Sequence, residues 1–505
     1  MLERYVKKIL ASRVYDVAME TPLQEARALS RALNNRVFLK REDLQSVFSF
    51  KLRGAYNKMA RLSDEDRALG VIAASAGNHA QGVALAANRL GIRAHIVMGR
   101  NTPEIKVSAV RDLGAHVILH GDNFDDARDH ANKLMKEHGY VFVHPFDDPD
   151  VIAGQGTIGM EILNQHSAPL HAIFVPVGGG GLISGIGAYV KYLRSDVKII
   201  GVEADGSACM AAALAANRRV VLPTETLDQF ADGTSVAQVG KETFKIARRC
   251  VDSVIVVSTD EICGAIKDIF NDTRSIAEPS GALAVAGMKK YIAASRITGQ
   301  DLVAIDSGAN VNFDRLRHIS ERSELGEKRE AILGVTIPEK PGSFRTFCRT
   351  LGKRSVTEFN YRYADAAHAR VYVGVQVAAN GDRGELVSSL TRAGYPVEDM
   401  TDNELAKLHV RHMVGGRVTS GKSEILYRFE FPERPGALLK FLLELGEKWN
   451  ITMFHYRNHG AAWGRVLIGF EADAKSRREL GRFLDRIGYR YAEETDNSAY
   501  QMFLR

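Results

Sequence analysis

Between Arg36 and Asn312 the chain alternates short apolar runs with longer stretches of helical period. The runs read RVFLK, GVIAAS, AHIVM, HVILH, YVFV, AIFVPV, VKIIGVE, DSVIVV and LVAIDS, and each leads into a turn or a periodic helical segment. That rhythm predicts an α/β region built on doubly wound, mostly parallel sheets. Ligands of such sheets gather at the carboxyl ends of the strands, so the residues just after each run are where chemistry is expected.

Past residue 320 the pattern changes. A charged stretch, SERSELGEKREA, reads as a linker, and beyond it the chain repeats itself. VTIPEKPGSFRTFCRTLG at 335–352 aligns with FEFPERPGALLKFLLELG at 429–446, and VTEFNYR at 356–362 with ITMFHYR at 451–457. Each copy predicts a strand, a Pro-Gly turn, an amphipathic helix and two further strands, a small α+β sandwich of the ligand-sensing kind. The expected division is a main domain at 1–320, a linker at 321–330, one module at 331–402, a connection at 403–423, a second module at 424–495 and a tail at 496–505.

Composition narrows the classes. A chain of 505 residues, 45% hydrophobic and 25% charged, is globular and too long for one core. Its net charge of +6 comes from 67 basic and 61 acidic residues that interleave, so no nucleic-acid stripe is present. Cys209, Cys250, Cys263 and Cys348 form no C-x-x-C pair and have no His-rich spacing, which argues against a zinc site or a disulfide framework and for a reducing, cytoplasmic setting. The first residues, MLERYVKKILASRVYDVAME, lack the unbroken apolar core of an export signal, and no segment reaches the ~20 apolar residues a membrane span needs.

Four candidate segments stand at strand ends. In VPVGGGGLISG, Gly178, Gly179, Gly180 and Gly181 lie between a buried strand and a helix, where backbone N–H groups converge on an anion such as phosphate. GQGTIG at 154–159 matches a dinucleotide fingerprint in letters only; no strand precedes it and no ribose-binding acid follows, so a closely packed helix start is the expectation. ASAGNHAQG at 74–82 follows a strand and opens a helix, able to hold a carboxylate, while His79 reads equally well as an interior imidazole. LVAIDS delivers Ser307 and the motif SGAN. Against these, the lysine of SFKLRGA, Lys51, becomes a candidate nucleophile rather than one surface cation among many.

SFKLRGA, SAGNHAQG, GGGGL and SGAN, in that order, resemble the motifs of the fold-type II pyridoxal-phosphate enzymes, and with the doubled tail they resemble the biosynthetic threonine deaminases over nearly the whole chain. The resemblance implies a fold-type II catalytic domain followed by two ACT-like regulatory modules. It implies that Lys51 bonds covalently to pyridoxal 5′-phosphate and that Phe50 packs by the ring. Gly178 to Gly181 and Leu182 would hold the phosphate, Asn78 the 3′ oxygen, and Ser307 the pyridine nitrogen. Ser75, Ala76, Gly77, Asn78 and His79 would take the substrate carboxylate. It further implies L-threonine as substrate, with L-serine left open, effectors L-isoleucine and L-valine, a homotetramer, and no nucleic-acid or membrane partner.

Effector contacts are expected around Pro341 to Phe344, Glu358 to Arg362, Pro435 to Leu438 and His455 to Arg457. Glu278, in EPSGA, is expected to favour a helix N-terminus rather than face the crevice. Asp306 should point away from the ring if Ser307 faces it. GVEADGSACM resembles the cation-binding stretch of serine racemases, but Cys209 stands where a carboxylate is needed, so no metal is expected at Glu203. Arg53 is expected to be a structural or field-setting charge. Rival readings are cysteine synthase-type β-replacement, serine racemisation, catabolic deamination, and an amino-acid sensor without activity.

Overall fold

The computed structural model describes the chain except residues 327–329, 339–345, 348–349, 352–353, 355, 364–367, 378–381, 411–423, 433–449, 458–462, 472–473 and 505. It divides into two compact units, Met1–Ser323 and Glu324–Arg505.

The first unit carries β1 (Leu23–Glu25), β2 (Arg36–Arg41), β3 (Val71–Ala74), β4 (Ala94–Met98), β5 (His116–Leu119), β6 (Val141–Phe142), β7 (Ala172–Pro176), β8 (Lys198–Ala204), β9 (Ser253–Val257) and β10 (Asp301–Asp306). The nine apolar runs are β2 to β10. They divide between two sheets, ordered β1-β2-β10-β7-β8-β9 and β5-β4-β3-β6, and every pairing is parallel except that of β1 with β2. Alternation within the runs explains their apolar character. Ala172, Phe174, Leu302 and Ala304 enter the core on one face of the larger sheet, and Ile173, Val175, Val303 and Ile305 the core on the other.

GQGTIG is not a helix start. It lies inside the helix Pro149–Gln165, whose first turn is capped instead by Asp148 and begins with Pro149. Its glycines do permit close packing. A Cβ on Gly154 would stand 2.6 Å from Arg53 O, and one on Gly156 2.9 Å from Gly185 O. This helix therefore lies directly against the backbones of the helices Lys51–Met59 and Gly181–Leu193.

Beneath them is a buried ionic cluster. Arg53, fully enclosed, donates through Nε and Nη2 to the two Glu42 oxygens (2.8 Å each), to Thr157 Oγ1 (3.1 Å), to Met19 O (3.2 Å) and to both oxygens of Glu161. Lys40 Nζ meets Glu161 Oε2 at 2.6 Å and also donates to Thr21 O. Burial opposes charge on Glu161, but Arg53 and then Lys40 hold its carboxyl below the usual range. Two cations and two carboxylates balance, which makes their enclosure tolerable.

In the second unit β11 (Glu330–Pro338), β12 (Val356–Tyr363), β13 (His368–Gln376) and β14 (Val397–Asp399) form an antiparallel sheet in the order β12-β13-β11-β14. β15 (Glu424–Pro432), β16 (Asn450–Arg457), β17 (Trp463–Glu471) and β18 (Arg490–Glu493) repeat it as β16-β17-β15-β18. The Pro-Gly turns and most of the first helices expected after β11 and β15 lie outside the described residues; beyond the three expected strands, each module has the helix Asp382–Arg392 or Ala474–Ile487 and a fourth strand.

A third repeated stretch, Thr-Asp-Asn, stands at 401–403 and 495–497. Thr401 Oγ1 accepts from Ile332 N (3.0 Å) and Thr495 Oγ1 from Leu426 N (3.1 Å). Asn403 and Asn497 cap the helices Glu404–Leu408 and Ser498–Phe503, and Asn403 Nδ2 donates to Asn497 Oδ1 at 3.3 Å. These terminal helices are packed parts of the unit: Leu405, Tyr500 and Phe503 share one core with Ile332 and Tyr372 of the first module and Leu426 and Leu467 of the second.

Candidate active site

Four strand-end segments converge in the first unit. Ser49 bridges to Gly308, Phe50 N donates to Ser307 O (3.3 Å), and Ala309 N donates to Phe48 O (2.9 Å), so the loop before Lys51 is tied to the end of β10. Lys51 opens its helix. Its Nζ lies 5.2 Å from the Phe50 ring centroid and donates to Pro145 O (3.2 Å). Burial pushes this amine down to about 8, against the opposing charge of Glu278.

Pro145 leads to Phe146, whose ring covers the glycine turn after β7. A Cβ on Gly179 would stand 2.3 Å from that ring, and one on Gly181 3.0 Å from Phe146 Cβ. A Cβ on Gly178 would meet Thr234 Cα at 3.0 Å, and Gly180, at φ +93°, caps the helix that begins at Gly181. Leu182 follows in the first turn and is buried. Side chains at these positions would fill the cradle, so it keeps bare backbone at a helix N-terminus, a fit for a phosphate group. With a half-buried lysine of lowered pKa tied to Pro145, next to the Phe146 that covers this turn, the residues present suit pyridoxal phosphate.

After β3, Ser75 Oγ accepts from Gly77 N (3.4 Å), Ala76 leads into the turn, Gly77 is the N-cap, and Asn78 begins the helix Asn78–Leu90. The His79 ring is an interior group: its Nε2 donates to Val143 O (2.8 Å), and burial, with Lys51 nearby, pushes it down to about 3. Only its backbone stands in the helix's first turn.

Ser307 is buried at the end of β10, its Oγ 3.5 Å from Ser280 O. Asp306 is the last residue of β10. It is fully buried 3.8 Å from Arg41 Nε, and burial followed by the neighbouring Asp43 pushes its carboxyl well above the usual range.

Glu278 departs from expectation. It occupies the N-cap position of the helix Pro279–Ser295 yet makes no side-chain cap there. Instead Oε1 accepts from Asn78 Nδ2 at 2.6 Å inside the crevice. The backbone explains the choice: Glu278 N donates to Gly308 O (3.0 Å), which turns the side chain along β10's end rather than over its own helix. Burial, then Asp232, pushes the carboxyl up to about 7. The folded group thus keeps its proton to about pH 7, whereas an unfolded one releases it near 4.5. This site costs stability progressively as pH rises from about 4.5 to 7, and the cost is level above that. In cofactor-free protein, Glu278→Gln is expected to gain on the wild type over that window, approaching about 3 kcal/mol at pH 8. Thermal unfolding at pH 5 and pH 8 checks this; an unchanging difference between the two proteins would mean the carboxylate is solvated.

Asn310, the last residue of SGAN, completes the crevice: its Nδ2 donates to Asn78 Oδ1 (2.7 Å) and to Val47 O (2.9 Å). Its presence in that motif was the available signal. Glu203 is engaged elsewhere, accepting from the N–H groups of Met210 (2.7 Å) and Ala211 (2.9 Å). Among the described residues no group of three or more His, Cys, Asp or Glu is placed to hold a metal. Pro341 to Phe344, Pro435 to Leu438 and Cys348 lie outside the described residues, and Glu358 to Arg362 and His455 to Arg457 lie on β12 and β16.

Residues 14–308 match the family described as pyridoxal-phosphate dependent enzyme, and residues 321–410 and 415–504 each match the C-terminal regulatory domain of threonine dehydratase. The chain is 55% identical over 503 residues to L-threonine dehydratase biosynthetic IlvA of Burkholderia multivorans, covering 99% of both. It is 53% identical over 501 residues to the protein of the same name from Escherichia coli, covering 99% of this chain and 97% of that one. The solved structure of the processed form of threonine deaminase isoform 2 from Solanum lycopersicum matches with a TM-score of 0.63 at 50% identity, over 64% of this chain and 88% of that one. Maize serine racemase matches at 33% identity with a TM-score of 0.58, over 62% of this chain and 95% of that one.

Fold and crevice together define a pyridoxal-phosphate-dependent lyase of fold type II. The doubled regulatory half is what narrows the class further. The chain belongs to the biosynthetic threonine dehydratase family. Among the described residues no helix is long and apolar enough to cross a membrane.

Proposed function

We propose that this chain deaminates L-threonine to 2-oxobutanoate and ammonia as the first step of isoleucine biosynthesis, under feedback inhibition by L-isoleucine that L-valine opposes. The observation that carries the reading is Lys51, an amine lowered to about 8 by burial and standing beside a glycine cradle at a helix N-terminus. Gly178 to Gly181 and Leu182 would hold the cofactor phosphate through backbone N–H groups, Asn78 the 3′ oxygen, Phe50 the ring edge and Ser307 the ring nitrogen. Bound there, pyridoxal phosphate supplies an electron sink conjugated to the substrate Cα.

Ser75 to His79 take the substrate carboxylate at the start of the helix Asn78–Leu90, which orients the α-proton toward Lys51 Nζ. Lys51 removes that proton, a task for which an amine near neutrality is suited and an ordinary lysine is not. Ser307, a neutral hydroxyl, would leave the ring nitrogen of the bound cofactor without a full positive charge, which would suit the site to prompt loss of the β-hydroxyl as water. Hydrolysis of the resulting enamine balances the reaction: threonine yields one 2-oxobutanoate and one ammonia.

The relatives' names and the two C-terminal repeats support threonine over the racemase reading, and the sensing build of the repeats supports feedback control. Cytoplasmic location and a homotetramer complete the proposal. Supplying the full chain with threonine should yield 2-oxobutanoate, and added isoleucine should depress the yield at subsaturating threonine by 5- to 150-fold in effective affinity, a coupling of ~1–3 kcal/mol. No 2-oxobutanoate would end the substrate reading; formation indifferent to isoleucine would end the regulatory one.

A further inference from the structure

An asparagine amide presents a donor end and an acceptor end of nearly equal shape, so a site that uses its donor end must stop it from turning over. Asn78 is held at both ends. Its Oδ1 accepts from Asn310 Nδ2 (2.7 Å), and its Nδ2 donates to Glu278 Oε1 (2.6 Å). Asn310 is fixed in turn, because its Nδ2 also donates to Val47 O (2.9 Å). Asn310 thus donates to Val47 on one side and to Asn78 on the other, Asn78 donates onward to Glu278, and one N–H of the Asn78 amide is left without a partner among the described residues.

The backbone is shaped to admit this arrangement. Glu278 is 6% exposed, and a Cβ on Gly308 would stand 2.7 Å from its Oε1, so glycine at 308 makes room for the carboxyl. The same glycine's carbonyl accepts from Glu278 N. Glu278 makes no cap on its own helix and contacts Asn78 instead. The carboxyl thus serves the crevice rather than the helix.

We propose that Glu278 is a positioning residue which, acting with Asn310, locks the Asn78 amide so that its free N–H faces the 3′ oxygen of the cofactor. The inference rests on the reading that Asn78 contacts that oxygen. A lock at the 3′ oxygen sets both how tightly the cofactor is held and the electronic state of the ring system, so both quantities report on it.

The test uses the full-length protein as Glu278→Ala, Glu278→Gln and Asn310→Ala. It reads the absorbance spectrum of bound pyridoxal phosphate, the cofactor dissociation constant of the apo-protein, and kcat and KM for threonine. Losing the bond to the Glu278 carboxyl, about 1.4 kcal/mol, should weaken cofactor binding roughly tenfold in Glu278→Ala and displace its absorbance band. Glu278→Gln keeps an acceptor oxygen for Asn78 Nδ2 and should restore affinity to within about threefold of wild type. Asn310→Ala frees the opposite end of the amide without touching Glu278, so it should shift the same band. The double change Glu278→Ala with Asn310→Ala should cost less than the sum of the two, as residues acting on one amide do.

Glu278→Ala that folds with wild-type absorbance and affinity would overturn the proposal. So would a Gln variant as impaired in affinity as the Ala variant, or additive single effects. Should Glu278→Ala fail to fold, an unshifted band in Asn310→Ala overturns it alone. A wild-type protein that turns over threonine while these variants keep their spectra removes only this inference; a wild-type protein that takes up no cofactor removes the reading beneath it.

Discussion

Lys51→Ala is expected to abolish threonine turnover, by on the order of 10⁴-fold or more, and to erase the visible absorbance of the bound cofactor. The two losses have one cause. The amine that anchors the cofactor is also the base positioned for the α-proton, and nothing else in the crevice offers a neutral amine. His79, another base close to Lys51, is spent on Val143 O and pushed down to about 3, so its ring gives it no route to the substrate. The fold should survive the change, since the Lys51 side chain's hydrogen bond to Pro145 O is a single contact at a helix start. Following 2-oxobutanoate and scanning the spectrum of the purified variant decide the matter. Wild-type product formation by Lys51→Ala would sink the assignment.

The apolar rhythm was enough to locate β2 to β10, because strands buried on both faces must be apolar at successive positions. It could not show that β3 to β6 form their own sheet. Sheet membership is decided by which strand edges meet, and Val71 carries no mark that it pairs with Ala94 rather than with a strand of the larger sheet. β1 was invisible for a simpler reason: Leu23–Glu25 is three residues long and two of them are polar. GQGTIG shows the limit of motifs, since its glycines answer to the Arg53 and Gly185 backbones that pack on the helix.

At the crevice, motifs with glycines or caps could be read because their chemistry lies in the backbone, as with Gly178 to Gly181 and Gly77. Glu278 could not. An acid before Pro-Ser at a helix start looks like a cap, and only Gly308, brought up by β10, turns it toward Asn78. The repeat in the second unit was legible through its Pro-Gly turns, whereas Thr-Asp-Asn was not, because its meaning arises where Asn403 meets Asn497 between modules.

Arg53→Ala is expected to lower the stability of the first unit by about 3–5 kcal/mol, the second large effect. The loss is one of desolvation rather than attraction. Arg53 lies between Glu42 and Glu161, both enclosed, and supplies hydrogen bonds to all four of their oxygens. Removing the guanidinium leaves two buried carboxylates with Lys40 as the cation paired to Glu161 and only neutral donors, Thr21, Gln45 and Tyr15, besides, and burial already pushes Lys40 down. A loss of that size should lower Tm by on the order of 10 °C. Arg53→Lys should fall between, because an ammonium keeps the charge but cannot fork to two carboxylates. Glu161→Gln with Arg53→Met, which removes charge of both signs, should recover part of the loss of Arg53→Ala. Arg53→Ala within about 1 kcal/mol of wild type would mean that Glu42 and Glu161 take up protons at little cost. Because Arg53 is two residues from Lys51 on one short helix, the same variant should also lose activity in excess of its unfolded fraction, linking the buried cluster to the placement of the reactive amine.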